Sequence, residues 1–480
     1  MVHKKQLFLV STAVLFLTLI GCRHAPMGMQ AAAVDIQLVP TEATILHGDT
    51  LRIIAIPLDA TGQPVLDVAV HWATSDTAIT RIDSTGLLYG RGVGQAAITV
   101  SAGDVNRHLS VTVEDHRTGW TVLDVGCGIW HDGFTYCWPM TSGPVDTPTL
   151  LSVLENAATI QSGPNHTCAV TSTGDAYCWG QNDYGELGDG TTTDRLFPVF
   201  VISPVKFDSI AVGALHTCAL SRSSDIYCWG ADKYGQLGIG GASDLCASMP
   251  CSRVPRKVSG EFKAVAAGGF DRVGLTSNGL GSTCAIAHDA QLLCWGYNEL
   301  GGGGDGTFVA RSVPTPVASA EHFVAVAVGN THACGLASGG EIFCWGANAY
   351  GQLGSTLPTE AEFTCFQADV GSPCTNEPRV VNTTERFMSV AADDDLTCAL
   401  NSFGASFCWG ENGFGQVGNG VVSRGEIRPT RVHSATTFLT VRIRSPVACG
   451  LSPRRQAFCW GSGVSEAVRL PDPGFTTAAR

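Results

Sequence analysis

The spacing of the cysteines constrains this chain more than any other feature of its sequence. The chain has 480 residues and 19 cysteines, and fourteen of these cysteines form pairs whose members are ten residues apart. These pairs are Cys127 with Cys137, Cys168 with Cys178, Cys218 with Cys228, Cys284 with Cys294, Cys334 with Cys344, Cys398 with Cys408, and Cys449 with Cys459. Trp follows the second cysteine every time, at Trp138, Trp179, Trp229, Trp295, Trp345, Trp409 and Trp460. One structural unit is therefore expected to occur seven times.

Each cysteine pair flanks two short apolar runs with a turn between them. In CAVTSTGDAYC, pairing Cys168 with Cys178 centres the register on Thr173 and leaves a three-residue loop that ends at Gly174. Such loops need a left-handed residue in that place, usually Gly. The two cysteines then lie opposite each other, roughly 4.5 Å apart between Cα atoms and within disulfide reach. We therefore predict that a disulfide joins the strands of each hairpin.

Four of the five other cysteines also form close pairs, Cys246 with Cys251 and Cys365 with Cys374, which leaves Cys22 alone. Complete pairing is typical of an exported protein in an oxidising compartment. A zinc site is the rival interpretation, but zinc motifs place two to four residues between their cysteines, and nine residues stand between these. No metal is expected.

A repeated pattern of four short strands surrounds each cysteine pair. An alternating run such as FDSIAVG precedes the hairpin, and a turn framed by two glycines and a Pro-containing strand follow it. These Gly-framed turns include 185–188, 235–238, 351–354 and 415–418. Four short strands in each unit of about 50 residues, together with 57 glycines, predict an all-β protein with a seven-bladed β-propeller. The sequence does not show how the propeller ring is closed.

The composite string VAVG…H.CAL…G.IFCWG.N.YGQLG resembles the regulator-of-chromosome-condensation repeat, the unit of a seven-bladed propeller. The resemblance covers about residues 117–471 and leaves 472–480 as a tail. The founding nuclear protein exchanges nucleotide on a small GTPase, and we do not expect that activity in an exported, disulfide-bonded chain. Secreted relatives include a β-lactamase inhibitor protein that binds its target with one propeller face. The resemblance thus implies a binding protein.

The N-terminus is typical of an export signal. Lys4 and Lys5 precede an apolar run that ends in Leu19-Ile20-Gly21-Cys22, so 1–21 is predicted to be a signal peptide. These last four residues resemble the bacterial lipobox, which implies lipidation at Cys22. Residues 22–32 would form a tether. Arg23 follows the cysteine, and by resemblance to Gram-negative lipoproteins this residue implies attachment to the outer rather than the inner membrane. The sequence does not decide whether the protein then faces the periplasm or the cell surface.

Residues 33–115 contain no cysteine and hold several strand-like runs, such as VDIQLVP and AAITVSA. The stretches 72–76, 86–88 and 94–98 resemble the bacterial immunoglobulin-like domain. The resemblance implies an N-terminal Ig-like β-sandwich that acts as a spacer or adhesive stalk, with Trp72 in its core.

Few residues indicate catalysis or cofactor binding. The formal charge of −13 argues against nucleic acid as a partner, and no Lys precedes Ser or Thr as a P-loop requires. The glycines at 301, 303 and 306 match a dinucleotide fingerprint only formally, since no helix is expected after them. His166, His216 and His332 recur at one repeat position, which predicts a structural role. The acidic run 393–395 is interpreted as a solvated loop rather than a metal site. We therefore expect no enzyme activity and no cofactor.

Three neighbouring units carry insertions, at about 241–255, 269–281 and 355–378. Strands alternate in direction within a blade, so first-to-second and third-to-fourth connections leave on the same face. The insertions should therefore share one face. Their apolar and Arg residues are candidate partner contacts: Leu245, Met249, Phe270, Arg272, Phe363 and Phe366.

These patterns together predict an envelope lipoprotein whose propeller binds a protein or another envelope macromolecule, with membrane contact through the lipid anchor only. Three alternatives remain open: a secreted-type protein inhibitor, a purely structural envelope protein, and an enzyme that uses the propeller channel. Convergent carboxylates or histidines at the channel mouth would favour the enzyme, and a bare polar insert face would favour the structural protein.

Overall fold

The computed structural model describes residues 33–41, 43–47, 50–65, 68–114, 119–131, 133–138, 148–242, 244–270, 280–356 and 373–472. The chain divides into two compact units, Met1–Asp115 and His116–Arg480. Every regular element within the described ranges is a β-strand. Within these ranges, no helix is long and apolar enough to span a membrane.

The first unit contains nine strands. They are β1 (Asp35–Val39), β2 (Ala43–Leu46), β3 (Thr50–Arg52), β4 (Ile54–Leu58), β5 (Val70–Thr74), β6 (Thr80–Ile82), β7 (Leu87–Gly90), β8 (Gly94–Ala102) and β9 (Val105–Glu114). The strand orders of its three sheets are β1-β4, β2-β9-β8-β5 and β3-β7-β6.

The core of this unit comes from alternate residues of its strands. On β8 and β9 the inward positions are completely buried, as at Ile98, Val100 and Leu109, whereas the residues between them are more exposed. Trp72 is partly buried and packs against this core. The alternation is what a sheet with one buried face requires, and it matches the predicted Ig-like domain.

The second unit forms a series of antiparallel sheets, which we call blades. Blade I has β10 (Trp120–Leu123), β11 (Cys127–Trp130), β12 (Phe134–Cys137) and β13 (Thr149–Glu155). Blade II has β14 (Ala157–Ser162), β15 (His166–Thr171), β16 (Ala176–Gly180) and β17 (Arg195–Phe200). Blade III has β18 (Phe207–Val212), β19 (His216–Ser221), β20 (Ile226–Ala231), β21 (Asp244–Cys246) and β22 (Met249–Lys257). Blade IV has β23 (Phe262–Phe270), β24 (Leu280–Ala287), β25 (Leu292–Gly296) and β26 (Arg311–Pro316).

The remaining blades follow the same order. Blade V has β27 (Phe323–Val328), β28 (His332–Ala337), β29 (Ile342–Ala347) and β30 (Cys374–Val380). Blade VI has β31 (Phe387–Asp393), β32 (Leu396–Asn401), β33 (Ser406–Glu411) and β34 (Gly425–Arg431). Blade VII has β35 (Thr440–Arg444), β36 (Val447–Leu451), β37 (Ala457–Gly461) and β38 (Val464–Arg469). The described strands thus form seven blades, and the predicted all-β propeller class is confirmed.

The ring closes by packing of blade VII against blade I. The first strands of successive blades contact one another from β10 to β35, which makes them the inner strands, and β10 also contacts β36. The Trp120 N–H donates to the Arg455 carbonyl at 2.9 Å, and Trp120 shares a buried cluster with Val447 and Leu451. Six blades use four consecutive strands in chain order, and blade III adds β21 outside β22, so among the described residues no strand is exchanged between blades I and VII. The ring closes there through side-chain packing and the Trp120–Arg455 backbone hydrogen bond.

A disulfide joins the second and third strands of each of the seven blades. The Cα atoms of the paired cysteines lie 4.0 to 4.1 Å apart, closer than the separation of roughly 4.5 Å expected from the sequence. In every blade the two cysteines are also direct partners in the strand register. From blade I to blade VII, the bonds join Cys127 and Cys137, Cys168 and Cys178, Cys218 and Cys228, Cys284 and Cys294, Cys334 and Cys344, Cys398 and Cys408, and Cys449 and Cys459.

The turns between these strands take the expected left-handed residue. Gly174 has φ +89° in the turn of blade II. Ser224, Ala290 and Arg455 take positive φ at the corresponding place in three other blades. The ten-residue spacing therefore determines this turn even where Gly is absent.

Candidate binding face

Consecutive antiparallel strands place two kinds of connection on the same side of every blade. First-to-second and third-to-fourth connections leave at one end, and second-to-third hairpin turns leave at the other. We call the first side the insert face and the second side the hairpin face. The three predicted insertions belong to connections of the insert face.

Hydrogen bonds between neighbouring blades hold the Gly-framed turns of this face. The backbone carbonyl of Glu186 in blade II accepts from Trp229 Nε1 at 2.7 Å and from Thr217 Oγ1 at 3.0 Å, both in blade III. His166 Nε2 lies 2.7 Å from the same Thr217 hydroxyl. We call this arrangement a blade latch. A Cβ at Gly188 (φ +66°) would lie 2.9 Å from Trp229 Nε1, so close packing requires Gly there.

Two further latches repeat the arrangement. They consist of His216, Gln236, Thr283 and Trp295 between blades III and IV, and His332, Gln352, Thr397 and Trp409 between blades V and VI. Burial lowers the pKa of His166 to about 3 and that of His216 to about 4. It also lowers the pKa of His332 to about 4. The latch imidazoles are therefore neutral and serve blade packing, the structural role that their repeat position predicted.

The insertion in blade III forms an additional strand. The short strand β21 pairs with the start of β22, and Ala247 and Ser248, both with positive φ, form the two-residue turn between them. Cys246 and Cys251 are bonded and buried, with Cα atoms 5.8 Å apart. The predicted contact Leu245 is 69% exposed, whereas Met249, expected to be exposed, is half-buried. The disulfide thus ties a rigid hairpin that presents Leu245.

The other predicted contact residues are not placed by the described structure. Phe270 ends β23, but its side chain lies outside the described residues, as do Arg272, Phe363 and Phe366. Cys374 is disulfide-bonded at the start of β30, and its predicted partner Cys365 also lies outside. The lipidation site Cys22 lies outside as well. Leu245 and Met249 are therefore the two predicted contacts that the structure brings together, on one hairpin.

Charged residues at the ends of three inner strands went unrecognised in the sequence. Gly163, Gly213, Gly268 and Gly329 lie opposite the residue two positions before the first hairpin cysteine in blades II–V, and Asp393 and Arg444 occupy that register position in blades VI and VII. Asp124 of blade I lies opposite Cys127, at the register position that Gln161 occupies in blade II. Alignment of the repeats could have revealed this contrast. These three charged residues belong to blades I, VI and VII, which adjoin the junction where the ring closes.

Each of these charged side chains bonds to the backbone of another blade. Asp393 Oδ2 accepts the Ser445 N–H at 2.8 Å, and Asp124 accepts the Ser162 N–H. Burial raises the pKa of Asp393 to about 7 and that of Asp124 to about 6. Arg444 donates to the Pro164 carbonyl at 3.2 Å. These side chains therefore join blades.

The described residues contain no cluster of three or more His, Cys, Asp or Glu side chains that could hold a metal ion. Within the acidic run, Asp393 bonds to Ser445, and the backbone carbonyl of Asp394 accepts the Asn330 N–H at 3.0 Å. Asp393 thus ends β31, is buried and bonds to blade VII, so the interpretation of the run as a solvated loop is wrong for this residue.

Comparison with known proteins identifies both units. The model of the RCC1-like domain matches residues 135–453, and that of the bacterial Ig-like domain (group 2) matches 32–113. The ultraviolet-B receptor UVR8 of Arabidopsis thaliana is 28% identical over 66% of this chain and 68% of its own length. The probable E3 ubiquitin-protein ligase HERC4 of Homo sapiens is 29% identical over 60% of this chain, but the match spans only 25% of the ligase.

Solved structures share the propeller fold. Prp20p of Saccharomyces cerevisiae superposes with a TM-score of 0.57 at 18% identity, covering 76% of this chain and 89% of its own. Human WBSCR16 gives a TM-score of 0.56, also at 18% identity, over 68% of this chain and 85% of its own. Since the RCC1-like model matches more than half of the sequence, and the blades form the corresponding fold, the chain belongs to the RCC1-like domain family and carries a bacterial Ig-like domain before its propeller.

Proposed function

We propose that this chain is an envelope-anchored binding protein whose propeller recognises a protein or another envelope macromolecule with its insert face. The observation that carries the proposal is the β21–β22 hairpin. Its disulfide fixes the backbone, so little conformational entropy is lost when the exposed Leu245 side chain is buried by a partner. A rigid apolar contact on an accessible loop is typical of an interface core.

Relatives support a binding role for this fold. Yeast Prp20 has been solved bound to Kap60, and its binding to Gsp1p and histones has been described. Prp20 is thus a precedent for protein recognition by a chain with this fold. Anchoring in the cell envelope is supported by the lipobox-like residues that end at Cys22 and by the paired cysteines, which suit an oxidising compartment, and not by these relatives.

The experiment compares capture of envelope components by the purified chain and by two variants. The first variant replaces 244–249 with a short Gly-Ser turn and carries Cys251→Ser, so that Ser252–Lys257 can still pair as the fourth strand. The second variant, Phe403→Ser, changes a residue that is 79% exposed on the hairpin face and serves as the matched control.

We expect the hairpin replacement to abolish capture of the partner retained by the wild-type chain, and the Phe403→Ser control to retain it. A single cooperative thermal unfolding transition in both variants shows that the propeller has kept its fold, with Tm lowered modestly where the Cys246–Cys251 disulfide is removed. Undiminished capture by a folded hairpin variant would refute the proposed binding face.

A further inference from the structure

The hairpin face carries exposed apolar residues at one repeated position. In each of blades V–VII the phenylalanine at the start of the inner strand is buried, and the residue directly after it is exposed. These exposed residues are Val324 (54%), Met388 (66%) and Leu439 (49%). Blades III and IV have Asp208 and Lys263 at this position, so the repeat itself does not require an apolar residue there.

The repeat gives these three side chains equivalent places at the channel mouth. Val324 and Met388 are each the unpaired residue of a β-bulge at the same point of the inner strand. Leu439 stands at the corresponding point of blade VII, one residue before the paired Thr440. The inner strands of blades V, VI and VII contact one another in turn. The three residues therefore form a single row along neighbouring strands.

The hairpin turn of blade VI extends this row. Phe403 in that turn is 79% exposed. The carbonyl of Gly404 accepts the backbone N–H of the residue before Leu439 at 2.7 Å, and Asn401 pairs with the residue before Met388. The turn thus lies between the strands that carry Met388 and Leu439. We call the whole set the apolar arc, which consists of Val324, Met388, Phe403 and Leu439.

The arc is too large to be a chance exposure of single residues. At the exposed fractions given above, its four side chains present on the order of 450 Å² of apolar surface. The largest apolar patch of a typical monomer has this size, and such patches commonly mark interaction sites.

Positive charge flanks the arc on blades VI and VII. Arg431 ends β34 on the hairpin face, and Arg454 and Arg455 lie in the hairpin turn of blade VII, where Arg454 takes the place that Phe403 has in blade VI. Acidic residues near this end are engaged: Glu385 accepts an amide N–H of Asn401 at 2.9 Å, and Asp472 is paired with Arg469 at 3.0 Å. The exposed Glu321 lies at the other end of the arc, beside Val324.

The opposite end of blade VI is acidic. Asp394 and Asp395 lie in its first-to-second connection, and Glu411 ends its third strand, all on the insert face. Charges on exposed surfaces are screened beyond about 8 Å at physiological ionic strength. The formal charge of −13 therefore does not determine what approaches the hairpin face, and the local arginines favour an anionic surface.

Apolar side chains with flanking arginines suit the surface of an anionic bilayer. The apolar groups enter the boundary between headgroups and acyl chains, and the guanidinium groups remain among the lipid phosphates. The arc follows turns and strand ends around the channel mouth, so a rigid protein partner would have to span that mouth. Lipid headgroups adapt to such an outline, and a bilayer is therefore the occupant that these residues fit best.

We infer that the hairpin face of blades VI and VII docks onto an anionic lipid bilayer, with Met388, Phe403 and Leu439 inserted at the headgroup boundary. Arg431, Arg454 and Arg455 then contact lipid phosphates. This contact adds to the lipid anchor predicted at Cys22 and directs the insert face away from the bilayer. The inference rests on the proposed envelope location, which brings a membrane within reach, and is independent of the insert-face partner.

Cosedimentation with lipid vesicles tests the inference. The protein is residues 33–480, which keep both described units and omit the predicted anchor. One set of vesicles is phosphatidylcholine alone, and in the other about a third of the lipid is phosphatidylglycerol. The test variant is Met388→Ser with Phe403→Ser. The matched control is Val421→Ser with Val422→Ser, which removes two residues of the same blade that are 52% and 61% exposed on the insert face.

We expect the wild-type chain to bind the anionic vesicles, to bind phosphatidylcholine much more weakly, and to be released when salt is raised to about 0.5 M. The test variant should bind at least about tenfold more weakly, and the control should bind like wild type. Arg431→Gln with Arg454→Gln should also weaken binding to the anionic vesicles.

A wild-type chain that does not sediment with anionic vesicles would overturn the inference, and so would a folded test variant that binds as well as wild type. Equal loss of binding in the Val421→Ser and Val422→Ser control would place the lipid contact elsewhere and overturn it too. If the double variant does not fold, Phe403→Ser alone replaces it with a smaller expected loss. The replacement of 244–249 should bind vesicles like wild type, which separates this test from that of the insert face.

Discussion

Glu186 is a carboxylic acid at a position where three other blades have Gln. In each Gly-framed turn this side chain accepts the N–H of the residue two positions before it, as Glu186 does from Tyr184 at 2.8 Å and Gln236 does from Tyr234 at 2.9 Å. Glu186 is 1% exposed, and its other carboxyl oxygen, Oε1, has no hydrogen-bond partner among the described residues. We predict that Glu186→Gln stabilises the propeller and that the gain depends strongly on pH.

The magnitude follows from proton linkage. Burial raises the pKa of Glu186 from its ordinary value of 4.5 to about 8, with smaller contributions from the charges of Asp183 and Asp194. Between these two values the folded chain keeps the proton and the unfolded chain releases it, so stability falls as pH rises through this window. At pH 7 the cost is about 3 kcal/mol, and it disappears toward pH 4. Glu186→Gln removes this cost.

Thermal unfolding of wild type and variant at a series of pH values between 4 and 8.5 measures the effect. For a unit of this size, 3 kcal/mol corresponds to a rise in Tm of roughly 4 °C near pH 7. The two proteins should unfold at nearly the same temperature at pH 4. The matched control is Gln236→Glu, which places a carboxyl group in the same environment one blade further on and should lower Tm with the same pH dependence.

A difference in Tm between wild type and Glu186→Gln that stayed constant from pH 4 to 8.5 would contradict the reasoning. It would show that the substitution acts through packing and that the buried carboxyl group does not carry the pH dependence. Equal Tm values at pH 8 would show that the Glu186 carboxylate is hydrated and ionised in the folded chain.

Three further predictions concern other parts of the molecule. The three latch histidines should remain neutral down to pH 5, so their imidazole NMR shifts should not change between pH 7 and pH 5. The unfolded chain protonates these histidines near pH 6.5 and the folded chain does not, so the free energy of unfolding should fall as pH drops below 6.5. Reduction of the disulfides should lower Tm markedly, since each hairpin disulfide contributes on the order of 2 to 3 kcal/mol. Peptide mapping of the unreduced chain should find Cys168 linked to Cys178, and disulfides between different blades would contradict the strand register. Cys22→Ser should move the chain out of the membrane fraction, and unchanged membrane association would rule out lipidation there.

The hairpins could be predicted from the sequence because every determinant of their geometry is local. The partners Cys168 and Cys178 are ten residues apart, so the register follows from the loop between them and needs no information about the rest of the chain. The same spacing imposes positive φ even on Ala290, at +68°. Repetition of this local unit also indicated the propeller, since a short sheet of four strands buries its faces only against neighbouring copies.

The contacts between blades could not be derived in this way. His216 and Thr283 are 67 residues apart and lie 2.9 Å from each other, and the intervening chain includes an insertion whose length does not affect the contact. Ring closure joins Trp120 to Arg455 across almost the whole second unit. Sequence spacing carries no information about such pairs, because they meet only when all intervening blades have been stacked.

Exposure of an apolar side chain depends on contacts that the local sequence does not contain. Leu245 was expected on the surface and lies there, whereas Met249, across the hairpin turn from it, is half-buried once the insertion pairs with the edge of blade III. The sequence by itself determined the repeat, the cysteine pairing within each hairpin and the all-β class, because period and register are local properties. Only the tertiary structure decided which apolar residues, such as Phe197, remain uncovered, because that depends on which surfaces neighbouring blades occupy.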